Sequence, residues 1–534
     1  MPHPGTIPRP RSTRSRVAFT AIASLAACVC AVGIWMGDFP LGVPGEWEWP
    51  RVSSDESTLF RVAVPLGGGL MYVLFVAMGL RRIDGLSTRG RSCWLLALAA
   101  AGFGWLWIAQ QAAPNGYDLA KSAWVLYYPK SSGYFTEARR YHDAFPQFLA
   151  NYERTVAAGD VLHQGTHPPG LIIAFEMLLR VVEKSPTLRT ALAASEPEVV
   201  RTSFRELQLL STRGDRGALA GEPLSVVDRG TLWLAFLLVH SAAALAVLPI
   251  YGLLRRSVSP AAAWLATAFW PTVPALALFI PKSDALFPLV ASLVLYLWLG
   301  AIDRRGVAAA LWGLLAGLVF WGGLMLSLAP LVVGFWAVVA TIQTRYQANA
   351  PATGWNGLRA DLMRLLPAVG GVSLGIVGPT IWFSRATECD LLAVWLGNYH
   401  NHAGFYRQYP RTWWKWILVN PLELSVAAGL PLACVAFAIV IRQMRDRSYS
   451  TAAVSFGVTW GLLLLSGKNM GEAARLWLFL IPGLCWIAGE WFETGLPETT
   501  TRQLSPPLRC GLVLLAVQLA FGAAIIMRVA GFDY

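Results

Sequence analysis

The chain has 534 residues, 55% of them hydrophobic and only 14% charged, with mean hydropathy +0.49 and formal net charge +12. A soluble domain carries about 25% charged residues, so an ordinary globular protein is excluded. The basic residues form short clusters between apolar runs and do not line one face of a soluble domain, which sets aside a nucleic-acid partner. Backbone groups must be satisfied internally in lipid, so the expected class is an all-α, polytopic integral membrane protein. Cys28, Cys30, Cys93, Cys389, Cys434, Cys485 and Cys510 lie mostly in apolar segments and lack metal-ligand spacing. They indicate neither a disulfide framework nor a zinc site.

Along the chain, Arg9, Arg11, Arg14 and Arg16 precede an apolar run that resembles a signal peptide. Leu25-Ala26-Ala27-Cys28 matches a lipoprotein cleavage box, but the run continues to Met36 and is read as an uncleaved first span. About thirteen spans are expected: 17–36, 60–80, 93–113, 231–254, 259–280, 284–302, 306–323, 327–343, 363–386, 416–441, 451–466, 474–492 and 509–528. They group into an N-terminal pair (1–92), a core (93–492) and a C-terminal loop with the last helix (493–534). The segment 171–183 is about 13 residues long and contains Glu176 and Arg180, so it reads as an interfacial or re-entrant helix. The stretch 184–230 is polar and reads as helical with a loop.

Charge then sets the expected orientation. If 171–183 does not cross, the N-terminus, Arg81-Arg82, Arg255-Arg256, Arg304-Arg305, 344–364, Arg442–Arg447 and the region of Arg502 and Arg509 all face the cytoplasm. The polar segments 114–230, 281–284, 387–412 and 467–473 then collect on the outer face of the cell membrane. The first of these is the most unusual. Its first part, from about Pro114 to Gly170, carries Glu137, Asp143, Glu153, Asp160 and three of the seven histidines, and ends in Thr166-His167-Pro168-Pro169-Gly170.

A polar loop with carboxylates, then His-Pro-Pro and an apolar helix, resembles the C-type (GT-C) membrane glycosyltransferases. The nearest likenesses are the dolichyl-phosphate-mannose protein mannosyltransferases and the lipid A aminoarabinose transferases. Later pieces keep the same order. Ile280-Pro281-Lys282-Ser283-Asp284-Ala285-Leu286, which follows Leu254-Arg255-Arg256, resembles the family's second carboxylate region. Ala316-Gly317-Leu318 through Gly322-Gly323 resembles its glycine-rich central helix. Asn398–Pro410 with Trp413-Trp414 resembles its later external loop. Gly471-Glu472-Ala473-Ala474-Arg475-Leu476-Trp477 resembles a segment of some members. The resemblance covers about residues 93–490. The family's Asp-Glu pair at the start of the first loop is replaced here by Gly133-Tyr134-Phe135-Thr136-Glu137.

The resemblance implies transfer of a sugar from a polyprenyl-phosphate donor to a lipid, glycan or protein acceptor, with inversion and no covalent intermediate. Such chemistry needs a carboxylate to deprotonate or orient the acceptor hydroxyl and cationic groups to stabilise the leaving phosphate. Asp143 is the first choice for the base and Glu137 the second. Six residues apart, they would lie on different faces of one helix and are alternatives more than a pair. His167, Lys282, Asp284, Arg407 and Arg475 are candidates for the donor and its phosphate. Tyr134, His400, His402, Tyr406 and Glu472 are candidates for substrate contacts. The bland readings are a rigid turn at His-Pro-Pro-Gly, snorkelling charges at Lys282 and Asp284, a local Glu472–Arg475 ion pair and an interfacial belt at Trp413, Trp414 and Trp416. His400-x-His402 could suggest a divalent cation, but no third ligand is evident, and no cofactor is fixed. His240, inside an apolar span, reads as a packed histidine. The rivals are a transporter or flippase for a lipid-linked sugar, which predicts repeated halves with broken helices, and an O-antigen ligase or polymerase type of enzyme, which predicts a large late loop. No internal repeat is present.

Overall fold

The computed structural model describes residues 13–53, 57–128, 131–160, 164–212, 224–348, 355–493 and 504–532. Arg9, Arg11 and Arg502, which entered the charge argument, lie outside them. Helix accounts for 80% of the structure. Among the described residues the one sheet is an antiparallel hairpin, Gly42–Val43 with Trp47–Glu48. Nine helices among the described residues are long and apolar enough to cross a membrane, or ten if one bent pair is counted as a span. A polytopic membrane architecture therefore holds.

Three expected spans, 327–343, 451–466 and 474–492, are helices of lesser length or apolarity. Helix Pro330–Ala348 carries the polar run Gln343-Thr344-Arg345 near its end, while Thr451–Leu465 and Leu478–Phe492 are shorter apolar helices. The segment 171–183 falls within helix Gly170–Lys184, whose 15 residues reach only about 22 Å. The segments expected as polar loops are also helical. The 114–230 stretch holds Lys121–Tyr127, Tyr134–Arg140, Phe145–Ala150, Tyr152–Ala157, Pro186–Ser195 and Glu198–Thr212. Most of 387–412 is the regular helix Leu391–Gln408, capped by the Asp390 carboxylate, which accepts from the Leu392 and Ala393 amides. Asp at an N-cap before an apolar run is a start signal the polar composition obscured.

The chain forms two compact units. The first comprises 1–114, 243–278 and 414–531. Its centre is the fully buried segment Pro260–Phe279, interrupted at Pro271 and Pro274 because proline removes a backbone donor. The Trp264 indole donates to Val76 O at 3.0 Å and the Tyr72 hydroxyl to Ala268 O at 2.9 Å, which ties neighbouring helices to it. The expected span 416–441 is not one helix in this unit. Trp413–Ala428 and Leu430–Asp446 meet at 118°. Gly429 takes φ +90° at the break and Pro431 starts the second helix. The freed backbone groups are satisfied by buried Gln518, whose Nε2 donates to Ala428 O at 2.7 Å and whose Oε1 accepts from Leu432 N at 3.3 Å. A break in an apolar environment needs such a partner.

The second unit comprises 115–242, 279–413 and 532–534. Its tightest pair is Gly306–Leu326 with Trp355–Thr387. Gly313 and Gly317 on one helix face Gly371 and Gly375 on the other, both at i, i+4. A Cβ on Gly371 would lie 2.1 Å from Ala310 O, and one on Gly313 would lie 2.2 Å from Ala368 O. Small residues at this spacing let two helix backbones touch where no hydrophobic drive favours association in lipid. Gly371→Ala should therefore lower the thermal midpoint, as expected for an overpacking cost of ~1–3 kcal/mol. Gly370→Ala, with open space at its Cβ, should not. Thermal unfolding in detergent checks this, and equal midpoints for the two variants would contradict the packing account.

Candidate functional site

In the second unit, the Thr-His-Pro-Pro-Gly run begins as the short helical turn Gln164–Thr166 and leads into helix Gly170–Lys184. Pro168 and Pro169 contribute no amide and set the approach angle. Gly170 is needed because a Cβ there would lie 2.2 Å from Met325 O. The carbonyls before the prolines are buried and must find donors elsewhere. Asn398 Nδ2 donates to Gly165 O at 2.8 Å and to His167 O at 3.3 Å. Asn401 Nδ2 donates to Gly165 O and to Val156 O, both at 2.8 Å. The Tyr152 hydroxyl lies 2.9 Å from His167 O and 3.3 Å from Gln164 O. Burial raises its phenol well above the ordinary range, with Cys389, Glu137 and Asp160 adding to the effect, so it stays a donor. Asn398, Asn401 and Tyr152 were not expected from sequence. The spacing Asn398-x-x-Asn401-His402 on one face of a capped helix was the available signal.

The His167 side chain is held in turn. Its Nδ1 is 3.0 Å from the Thr166 hydroxyl, and its ring packs edge-on to Tyr134 at 5.7 Å and faces His402 at 6.4 Å. Tyr134 opens the short helix Tyr134–Arg140, and Glu137 is three residues on, so the two share a face. Glu137 is mostly enclosed, 17% exposed, with Arg140 Nη1 at 3.9 Å. The helix stops at Tyr141. Asp143 follows in a separate exposed turn, His142–Ala144. The two candidate carboxylates therefore do not occupy one helix.

Tyr134 also lines a mainly apolar cavity of about 140 Å³. Val125, Leu171, Phe175, Leu238 and Leu286 form much of its wall, and Ser132, Lys282 and Ser283 add polar groups. The Lys282 ammonium donates to Ser131 O. Asp284 is half-buried in the next turn, Ser283–Leu286, and does not line the cavity.

Three other candidates, His400, Tyr406 and Arg407, share helix Leu391–Gln408 with Asn398. His400 and Arg407 are two and nine residues from Asn398, about 200° and 180° around the same helix, and both are exposed. Tyr406 is half-buried against Phe405 at 5.2 Å. Among the described residues no three His, Cys, Asp or Glu groups converge as metal ligands. Glu472 and Arg475 belong to the first unit, where Arg475 Nη2 donates to Glu472 at 2.6 Å. That segment is fixed by helix Trp413–Ala428. Glu423 accepts from Ala474 N and from the Trp49 indole, and Asn420 donates to Asn469 O.

One cluster was missed altogether. Glu176, 3% exposed, accepts from His142 Nδ1 at 2.8 Å and from Arg180 Nε at 2.5 Å. His142 Nε2 is 3.4 Å from Glu183, and Arg180 also donates to His142 O. Glu176, Arg180 and Glu183 follow i, i+4, i+7 spacing, so they share one face. The hydrogen bond to Glu176 raises the His142 pKa above 6.5, aided by its charge and by Glu183.

Family models, curated proteins and solved structures compared with the chain give no match.

The His142 cluster gives a pH dependence with a definite sign. A folded-state pKa raised above the unfolded value contributes stability that is complete below about 6.5 and lost as pH rises through the raised value. Thermal unfolding of the parent and His142→Gln from pH 5 to 9 should show the parent's advantage shrinking as pH rises. Parallel profiles would remove His142 as the cause.

Proposed function

We propose that the protein is a glycosyltransferase of the cell membrane, moving a sugar from a polyprenyl-phosphate donor to a lipid, glycan or protein acceptor with inversion. One observation carries the reading: Tyr134 is a shared wall between an apolar cavity bearing Lys282 and the polar cluster around His167. An amphiphile with an isoprenoid chain and a charged head matches that pairing, since apolar lining with a few fixed polar groups is how small-ligand sites orient their occupants.

In this reading the acceptor oxygen attacks the anomeric carbon as the bond to the phosphate oxygen breaks. The phosphate leaves with the bonding electrons, and the acceptor proton passes to a carboxylate. Glu137 takes that role because it shares a face with Tyr134 and is largely enclosed, whereas Asp143 is exposed in the following turn. Lys282 stabilises charge on the departing phosphate. The likeness to the C-type membrane glycosyltransferases and the segment order noted above support the same reaction. The orientation is the one that the basic clusters favour, with the site on the outer face and the N-terminus inside. It is argued with about thirteen crossings, the shorter helices included.

One observation favours the flippase reading, the 118° break at Gly429, since transporters bind cargo at interrupted helices. Gln518 already occupies the freed backbone groups there, so the transferase reading is preferred.

Purified protein in lipid nanodiscs, given a panel of polyprenyl-phosphate sugars, should consume one of them. Glu137→Gln should reduce turnover by ~10²–10⁴-fold and Lys282→Met by ~10²-fold, with Asp143→Asn near the parent. Loss confined to Asp143→Asn would move the base to Asp143. Parental turnover in both carboxamide variants would sink the carboxylate mechanism.

A further inference from the structure

We infer that Asn398 is a positioning residue that fixes the His167 ring through its main chain. The inference rests on the reading of His167 as a group facing substrate. Asn398 is fully buried on helix Leu391–Gln408, and both oxygens that its Nδ2 meets are main-chain carbonyls, those of Gly165 and His167. Carbonyls only accept, so the amide orientation is determined: the nitrogen faces the run. The amide oxygen is buried and has no hydrogen-bond partner among the described residues. Burying an unsatisfied acceptor is costly, so what Asn398 supplies is its two donors.

Those donors bracket Thr166. With the carbonyls on either side held, Thr166 and His167 keep one relative geometry, in which the Thr166 hydroxyl meets His167 Nδ1 at 3.0 Å. The partner on one ring nitrogen decides which nitrogen carries the proton, and hence what the other can offer a ligand. Asn401 is an internal control. It lies on the same helix, holds the same loop through Gly165 O and Val156 O, and does not reach His167 O.

The test uses the full chain in nanodiscs with nitrogen-15 histidine, the His167 signal among seven histidines being assigned by its loss in His167→Gln. The parent should show one ring tautomer for His167. Asn398→Leu should show a mixture, with kcat lowered ~10–100-fold, as misplacing a reacting group does, and KM little changed. Asn401→Leu, which leaves His167 O its donors, should keep the parental tautomer. The inference is overturned if Asn398→Leu keeps the parental His167 signal, or if Asn401→Leu disturbs it equally, since the role would then be only to hold the loop. If Asn398→Leu does not fold, Asn398→Ser, which keeps a donor but shortens its reach, is read by the same criteria. Parental sugar turnover by His167→Gln would instead count against the role of His167, and the tautomer comparison would still decide whether Asn398 sets the ring.

Discussion

The arrangement at the candidate site depends on the requirement that buried backbone carbonyls find donors. Pro168 and Pro169 stiffen the chain after His167 and supply no amides to the Gly165 carbonyl three and four residues before them, and the Gly165 and His167 carbonyls both accept from side chains of other segments. Asn398, Asn401 and Tyr152 meet them. Three side chains from two helices are thereby committed to the backbone of 164–167. The same requirement explains Gln518 at the Gly429 bend, where a side-chain amide donates to one severed helix end and accepts from the other. In a chain with few charged residues, neutral amides are well suited to this work because they avoid the cost of burying an ion.

A second constraint is close approach. Helices Gly306–Leu326 and Trp355–Thr387 touch through glycines, and Gly170 lets the start of its helix press against Met325 at the end of the first of these. The helix pair therefore supports one end of the Thr-His-Pro-Pro-Gly run while the asparagine helix holds the other. Between these supports, His167 meets Tyr134, and Tyr134 reaches the apolar cavity. The chemistry proposed for the site needs this convergence of a lipid-compatible wall and a polar cluster.

Much of the architecture was legible because long apolar runs carry a strong signal, and among the described residues nine or ten of them are helices long and apolar enough to cross. The importance of the Thr-His-Pro-Pro-Gly run was visible from its prolines and its place after an acidic loop. The bend at Gly429 was not, because a single glycine before Leu-Pro leaves the hydropathy of 416–441 unbroken, and only Gln518, about ninety residues away, shows how the break is tolerated. Helix Leu391–Gln408 was hidden by its aromatic and histidine content, although Asp390 marked its start. Asn398 and Asn401 escaped notice because asparagine carries no charge and their partners are main-chain atoms. His142 and Glu176 lie 34 residues apart, and nothing local links them. Glu472 and Arg475 form the expected local pair, but they belong to the first unit.

The central claim is that the cavity beside Tyr134 takes the chain and headgroup of a polyprenyl phosphate. The most direct measurement is photolabelling in nanodiscs with a polyprenyl phosphate bearing a diazirine near its headgroup, followed by peptide mapping. The account predicts adducts on cavity residues such as Leu171, Phe175, Leu238 or Leu286, suppressed by excess unlabelled polyprenyl phosphate and weakened in Lys282→Met. Competable labelling confined to the exposed apolar face of Thr13–Met36, at Ile22 and Leu25, with none at the cavity, would contradict it.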